Sequence, residues 1–393
     1  MNIIDNMIGA FSPQSALKRE IARQKLDMLR TITNSGYDEG GASHRKNSMK
    51  GWNANSLSPQ KDIDLNIATL RKRSRNLFMT APLATSAIKT TRTNVVGGGL
   101  ILKPVIDYEY LGMSRESADK LKSQIQREWK LWAESKYCDN MMLNNFYELQ
   151  QIAMVSWLMN GDSLGLIRYN SEELSYMPYQ LRIKLIESDR LCTPKSYGES
   201  IDLHEKNPDT GNRIINGIEI DDHGTVVAYH ICSSYPSEYD TVSSEWTRVE
   251  AIGKKTGNPN IIHVMEAERC EQYRGVPFLS PVIESLKQLT RYQEAEIMAA
   301  VINGMFAVFI KTESGNDDVD FDGVDEGENR VDEENESSYE LGNGIINVLK
   351  EGESIEIADA KRPNSNFDGF MTAMTKYIGA ALEIPVELVT KSF

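Results

Sequence analysis

The sequence predicts an α+β protein with helices toward both ends and a β-rich middle. Over residues 115–135, apolar side chains recur every three or four positions, which is typical of an amphipathic helix. Across 163–265 the apolar and polar residues alternate instead, as they do in strands. A long helix returns at 281–304, where Ser280 is placed to cap it and Pro281 suits its first turn.

Further helices are predicted on the N-terminal side of the β-rich part. They span residues 12–30, 63–80, 82–96 and 145–159. The run Gly97-Gly98-Gly99 ends the helix at 82–96, and a strand with the sequence LILKPV is expected to follow it.

The β-rich part contains four predicted strands with the sequences SLGLIRY, LRIKLIE, GIEI and TVVAYHI. A hairpin turn at 221–224 joins the last two. Further strands are predicted near 305–311, 345–350 and 354–358, and a final helix is predicted at about 366–383.

Charge is unevenly distributed along the chain. The net charge is −14, yet residues 1–104 carry 16 Lys and Arg against 7 Asp and Glu. Residues 313–340 hold 13 acidic residues and a single base, Arg330. A strong negative field repels phosphate, so the protein as a whole is not expected to adhere to nucleic acid. The acidic block is expected to form a solvated, mobile loop, because its like charges repel one another.

Several functional classes leave no signature in the sequence. The motifs C-x-x-C, H-x-x-x-H, G-x-S-x-G and G-x-x-x-x-G-K-[ST] are all missing. A calcium loop starting at Asp318 would need an acidic ligand at its twelfth position, where Asn329 stands. We therefore predict no cofactor and no metal. Neither a secretory signal nor a membrane span is predicted.

Two alternative functions start from charged residues. Glu187 and Asp189 could serve as the acid and base of a cytoplasmic hydrolase, and the acidic block could hold a metal for such an enzyme. Arg71, Arg73 and Arg75 could instead form the basic helix of a nucleic-acid-binding adaptor.

Several segments, in order along the chain, resemble the portal proteins of tailed bacteriophages of the lambda type. They include SPQSALKREIARQKL, a Trp/Ser/Asn segment at 52–56, and the basic helix LRKRSRNLFMTAPLATSAIKTTRTNVVGGGL. LRIKLIESDRL and GIEIDDHGTVVAYHI resemble the β-rich part of the family. The segments IIHVMEAERCEQYRGVPFLSPVIESLKQLTRYQEAEIMAAVINGMFAVFI and FDGFMTAMTKYIGAALEIPVELVTKSF are similar to its later parts.

This resemblance implies a non-catalytic ring of about twelve subunits at one vertex of the capsid in the virion, assembled in the host cytoplasm. Double-stranded DNA would pass through the ring without sequence-specific binding. The terminase large subunit, capsid proteins and head–tail connector proteins would be its partners, with no membrane involved.

The resemblance also implies a domain layout. Residues 1–278 would form the wing, 279–304 a stem helix, 305–365 the clip, and 366–393 a second stem helix with the start of a C-terminal region. The family continues beyond the equivalent of Phe393, so the channel loop and crown are expected to be absent.

Two groups of residues are the candidate functional sites. The polar stripe Glu284, Lys287, Arg291 and Glu294 is expected to face the channel or a neighbouring subunit, and Val282, Leu286, Leu289 and Ile297 form the apolar face of the same helix. In the linker before that helix, Arg269 and Arg274 are expected to clamp a carboxylate of an adjacent chain. Gly275 is expected to adopt a restricted backbone angle, and Pro277 to fix where the helix starts.

Overall fold

The computed structural model describes residues 58–170, 176–194, 206–236, 244–305, 309–312, 353–356 and 367–392, with short stretches between residues 14 and 57. The chain divides into two compact units, Met1–Leu57 and Ser58–Phe393. In the first unit, residues 21–25 are helical and Asn47–Met49 form a 3-10 helix.

The second unit contains the helices on which the candidate sites lie. They are α1 (Pro59–Thr80), α2 (Pro82–Val95), α3 (Arg115–Ala133), α4 (Phe146–Asn160), α5 (Ile283–Met305), α6 (Phe367–Ala381) and α7 (Val386–Thr390). Within the described ranges, no helix is both long and apolar enough to cross a membrane.

Local sequence sets the ends of these helices. α1 starts at Pro59 rather than at 63, because the Ser58 side chain accepts a hydrogen bond from the Lys61 N–H and Pro59 suits the first turn. Pro82 then starts α2. Asn145 and Glu148 form a reciprocal capping box at the start of α4.

The strands in the described part of the chain form three antiparallel sheets. β1 (Asp162–Tyr169), β2 (Leu181–Ile186) and β7 (Ile261–Met265) form one in the order β2-β1-β7. A second has the order β3-β4-β5-β6, from β3 (Arg213–Ile215), β4 (Ile218–Ile220), β5 (Val226–Cys232) and β6 (Trp246–Glu250). The predicted hairpin between β4 and β5 is confirmed by the bond from the Asp221 N–H to the Thr225 carbonyl.

The predicted strand LILKPV is wrong. The Gln150 side chain bonds both the N–H and the carbonyl of Leu100, so backbone groups that a neighbouring strand would pair are already satisfied. Val105 is 95% exposed, and no strand is assigned at 100–105.

Toward the C-terminus, β8 (Phe309–Thr312) pairs with β9 (Glu353–Glu356). The predicted strand at 345–350 and the acidic block at 313–340 lie outside the described residues. α7 was not predicted from the sequence.

Two main cores hold the second unit together. The helical core packs buried side chains from α1, α2, α4, α5 and α6, among them Leu77, Ile88, Leu158, Leu286 and Ile378. A second core fills the β-rich part. Because the first half of α5 belongs to the helical core, its orientation is fixed by packing.

Candidate functional site

The linker between β7 and α5 is closed by one buried side chain. The Gln272 oxygen accepts hydrogen bonds from the N–H groups of Glu268 and Arg269, at 2.9 and 3.1 Å. The Gln272 amide donates to the Arg274 carbonyl at 2.9 Å. The linker is thus ordered by its own hydrogen bonds before it reaches the helix.

Arg274 is the largest fully buried side chain described, at 1% exposure. Its Nε donates to Asp162 at 2.7 Å, and Nη2 donates to the Ser188 carbonyl at 2.9 Å. Nη1 donates to the carbonyls of Leu191 and Asn216, at 2.7 and 2.6 Å. Arg274 therefore ties the linker to several segments of the β-rich part.

Asp162, at the start of β1, is shared by two arginines. The Arg71 Nη2 donates to both of its carboxylate oxygens at 3.2 Å, and the Arg71 Nε donates to the Asn160 carbonyl at 2.8 Å. We call Arg71, Asp162 and Arg274 the buried ionic node. It joins α1, β1 and the linker.

Electrostatics within the node follow from burial and proximity. Burial alone would raise the pKa of Asp162, but the guanidinium groups of Arg274 and Arg71 hold this pKa well below its usual range. Burial, helped by the like charge of Arg274, lowers the pKa of Arg71 to about 10. Asp162 and Arg71 are therefore charged near neutral pH, and each buried charge of the node depends on its partners to replace water.

The expected role of Arg274 is corrected by its contacts, whereas that of Arg269 stays a prediction. Arg274 binds Asp162 of its own chain, and the Arg269 Nη1 lies 2.5 Å from the Asp62 carboxylate on α1 of the same chain. The expectation that Arg274 clamps an adjacent chain is wrong, because its guanidinium is buried and its donors are used within the chain.

Gly275 is required for a different reason than predicted. Its φ is not positive, whereas that of Gly161, at the end of α4, is +92°. A Cβ on Gly275 would overlap the Gly161 carbonyl oxygen, and a Cβ on Gly161 would overlap the Gly275 carbonyl oxygen. The two backbones thus touch directly, which only a pair of glycines permits. Pro277 is buried, and a 3-10 turn at Ser280–Val282 leads into α5.

The polar stripe lies on the outer face of α5. Its four members, Glu284, Lys287, Arg291 and Glu294, are all exposed. On the apolar face, Val282, Leu286 and Leu289 are buried as predicted. Ile297 is 65% exposed, so the apolar face stops being covered in the second half of the helix.

α5 contacts α6 through aromatic rings. Tyr292 stacks on Phe367 with centroids 5.7 Å apart and meets Phe370 edge-on at 4.7 Å. The predicted contact between these two helices is present in the chain, and their placement at the channel of a ring stays a prediction.

A buried carboxylate missed by the sequence analysis organises the second sheet. Glu219 is fully buried and accepts hydrogen bonds from Asn207, Thr210, Asn212 and Arg248. Burial opposes its charge, yet these donors hold its pKa below the usual range. Burial also lowers the pKa of His230, which lies 3.1 Å from Glu219. These partners are spread over residues 207–248 at irregular spacings, so no sequence motif predicts the site.

Replacing Glu219 with glutamine is expected to lower the free energy of unfolding at pH 7 by about 2 kcal/mol, because Arg248 loses its charged acceptor. The depressed pKa of Glu219 stabilises the fold above the unfolded pKa near 4.5, and this contribution is lost as pH falls below it. Urea titrations at pH 7 and 4 measure both effects, and the variant should show the smaller pH dependence. The control Glu116→Gln, whose ion pair with Lys120 is exposed, should change both values by no more than about 0.5 kcal/mol.

Comparison with known proteins decides the family. The family model "Phage portal protein, lambda family" matches residues 45–393. The chain belongs to the lambda family of phage portal proteins.

Curated relatives agree with this family. The portal protein of Escherichia phage N15 is 21% identical over 377 residues, covering 91% of this chain and 67% of that protein. Portal protein B of Escherichia phage lambda is 23% identical over 376 residues with the same coverage. The probable portal protein of Halomonas phage phiHAP-1 is 23% identical over 320 residues, covering 80% of this chain and 56% of that protein.

Solved structures with a similar chain include the neck of a native gene transfer agent particle, computed with C12 symmetry. That chain is 14% identical, with a TM-score of 0.46 and coverage of 84% of this chain and 71% of that one. The neck of the empty particle, computed with C6 symmetry, gives 13% identity and a TM-score of 0.47, covering 82% and 70% of the two chains.

The residues of the alternative functions have structural partners in this portal protein. Asp189 pairs with Arg75, and Glu187 lies 3.5 Å from the same guanidinium. Of the three arginines of the basic helix, Arg71 is buried in the ionic node and only Arg73 is exposed. The described part of the chain shows no group of His, Cys, Asp or Glu arranged to hold a metal, and the candidate calcium loop lies outside it.

Proposed function

We propose that this portal protein assembles into a closed ring of about twelve copies that forms a channel for double-stranded DNA at one capsid vertex. The observation that carries the proposal is the family match over residues 45–393. In the same proposal, the terminase docks on the ring during packaging, and capsid and connector proteins bind it in the virion. Its role is structural and non-catalytic.

In this proposal, successive segments of the chain form different parts of the ring. In the proposed layout, residues 1–278 form the wing, 279–304 and 366–393 form the stem, and 305–365 form the clip. The contact between Tyr292 on α5 and Phe370 on α6 supports a paired stem. The exposed stripe on α5 leaves charged groups available to the channel or to a neighbouring subunit.

The expected particle mass is about twelve times the 44.3 kDa of the chain. Mass photometry of the purified protein measures this directly, and negative-stain images show whether the particles are rings. A monomer at every protein concentration would contradict the proposal. A closed ring with a different number of copies would correct only the count.

A further inference from the structure

The fold brings together two basic segments that lie far apart in the sequence. A groove of about 570 Å³ runs between α1 and α5. Lys72 and Arg73 line it from α1, and Lys287 and Arg291 line it from α5. All four side chains are exposed. We call these four residues the basic groove.

The basic groove carries charge that the described part of the chain does not neutralise. Arg71 and Arg75, on the same helix, are paired with carboxylates, whereas the described residues provide no ion pair for the four groove cations. Lys287 and Arg291 are also four residues apart on one helix, a spacing at which like charges destabilise a helix by a few tenths of a kcal/mol. The arrangement favours an anionic ligand.

The other polar groups of the groove narrow the class of ligand. Asn76 and Gln288 add amide donors, so six side chains that can donate hydrogen bonds line the groove. The one acid, Glu284, accepts a hydrogen bond from Gln288 at 3.2 Å. Arginine, lysine, asparagine and glutamine are the side chains that commonly contact DNA phosphates.

Spacing along α5 fits a repeating anion. Four residues of helix rise by about 6 Å, so Lys287 and Arg291 are separated by roughly that distance along the axis. One strand of a DNA duplex places a phosphate about every 3.4 Å of its axis. The pair can therefore face about two phosphates of one strand, with Lys72 and Arg73 adding charge from the opposite wall.

We propose that the basic groove is a contact site for the phosphate backbone of double-stranded DNA. This inference rests on the proposed function, in which DNA passes through the ring. It names the surface of each subunit that would contact the DNA phosphates. Binding through phosphate contacts is expected to be independent of sequence and sensitive to salt.

The test compares two double variants with equal changes in charge. The first variant, Lys287→Glu with Arg291→Glu, reverses the charge of two of the four groove residues. Lys120→Glu with Lys122→Glu reverses two exposed cations of α3. Binding of the assembled full chain to a fluorescent 40-base-pair duplex of arbitrary sequence is measured by anisotropy between 50 and 200 mM salt.

The groove variant is expected to bind about tenfold or more weakly at the lowest salt, and its log–log salt slope should be shallower by about two for each subunit that contacts the duplex. The α3 variant should bind nearly as the unchanged protein does. Equal weakening by both variants, or no measurable DNA binding by the unchanged protein, would overturn the proposal.

An acidic protein segment is the competing occupant. A synthetic peptide with the sequence of residues 313–340 is titrated against the DNA complex. If the peptide binds the groove more tightly than the duplex does, the groove is a protein-docking site and the DNA proposal is wrong. Mass photometry of the unchanged protein and of every variant tests the ring separately from the DNA contact. If the unchanged protein forms no large particle, the proposed ring is wrong. If a variant forms intact particles that no longer bind DNA, the result bears only on the basic groove.

Discussion

Replacing Asp162 with asparagine is expected to lower the free energy of unfolding by about 3–5 kcal/mol, the usual cost of removing one partner of a buried ion pair. Arg71 and Arg274 would stay buried, at 3% and 1% exposure, without a counter-charge. The new amide would also place an N–H donor against a guanidinium. Urea unfolding at pH 7, followed by tryptophan fluorescence, measures the loss.

The matched control is Glu187→Gln. Glu187 also faces an arginine, but its ion pair with Arg75 is partly exposed, so the expected cost is below about 1 kcal/mol. If the two variants cost the same, the buried ionic node does not contribute more than a surface pair, and its role as the anchor of the linker is wrong.

Replacing Gly275 with valine is expected to cost more than about 3 kcal/mol, above the usual range for overpacking, because backbone rather than a flexible side chain must move. The added Cβ overlaps the carbonyl oxygen of Gly161, at the junction of α4 and β1. We expect little folded protein, and any folded protein should show a reduced yield of particles in mass photometry.

Gly98→Ala is the control for this substitution. Gly98 has no positive φ and no atom within 4 Å of an added Cβ, so its replacement should leave stability within about 0.5 kcal/mol. Particles of unchanged mass and yield from the valine variant would show that the contact between Gly161 and Gly275 does not determine the direction of α5.

Regular periodicity was the part of the fold that sequence could predict. The helix at 115–133 and the strands around 162–169 and 226–232 follow directly from spacings of 3.6 and 2 residues. The short β3 and β6 were missed because three and five residues give too few alternations to distinguish a strand from a loop. The sequence also did not show that LILKPV forms no strand, since the backbone of Leu100 is bonded by Gln150, about fifty residues away.

Among the candidate site residues too, those that share one helix face could be predicted, and those whose role depends on distant partners could not. The polar stripe on α5 was predicted because its four members share one helix face. The role of Arg71 was not, because it is set by Asp162, 91 residues further along the chain. A basic run such as LRKRSR shows how many charges are present, but only the packed structure separates buried Arg71 from exposed Arg73.

The buried ionic node also sets an order of events during synthesis. Arg274 lies 112 residues after Asp162, the carboxylate that it neutralises. A growing chain therefore contains Asp162 and Arg71 long before it contains the second arginine. Contacts of such long sequence separation form late, because closing the loop costs entropy first. We expect the β-rich part of nascent chains that end before residue 274 to remain sensitive to protease, and this sensitivity to fall once the linker has left the ribosome. The β-rich part therefore reaches its full stability only after the linker that precedes α5 has been made.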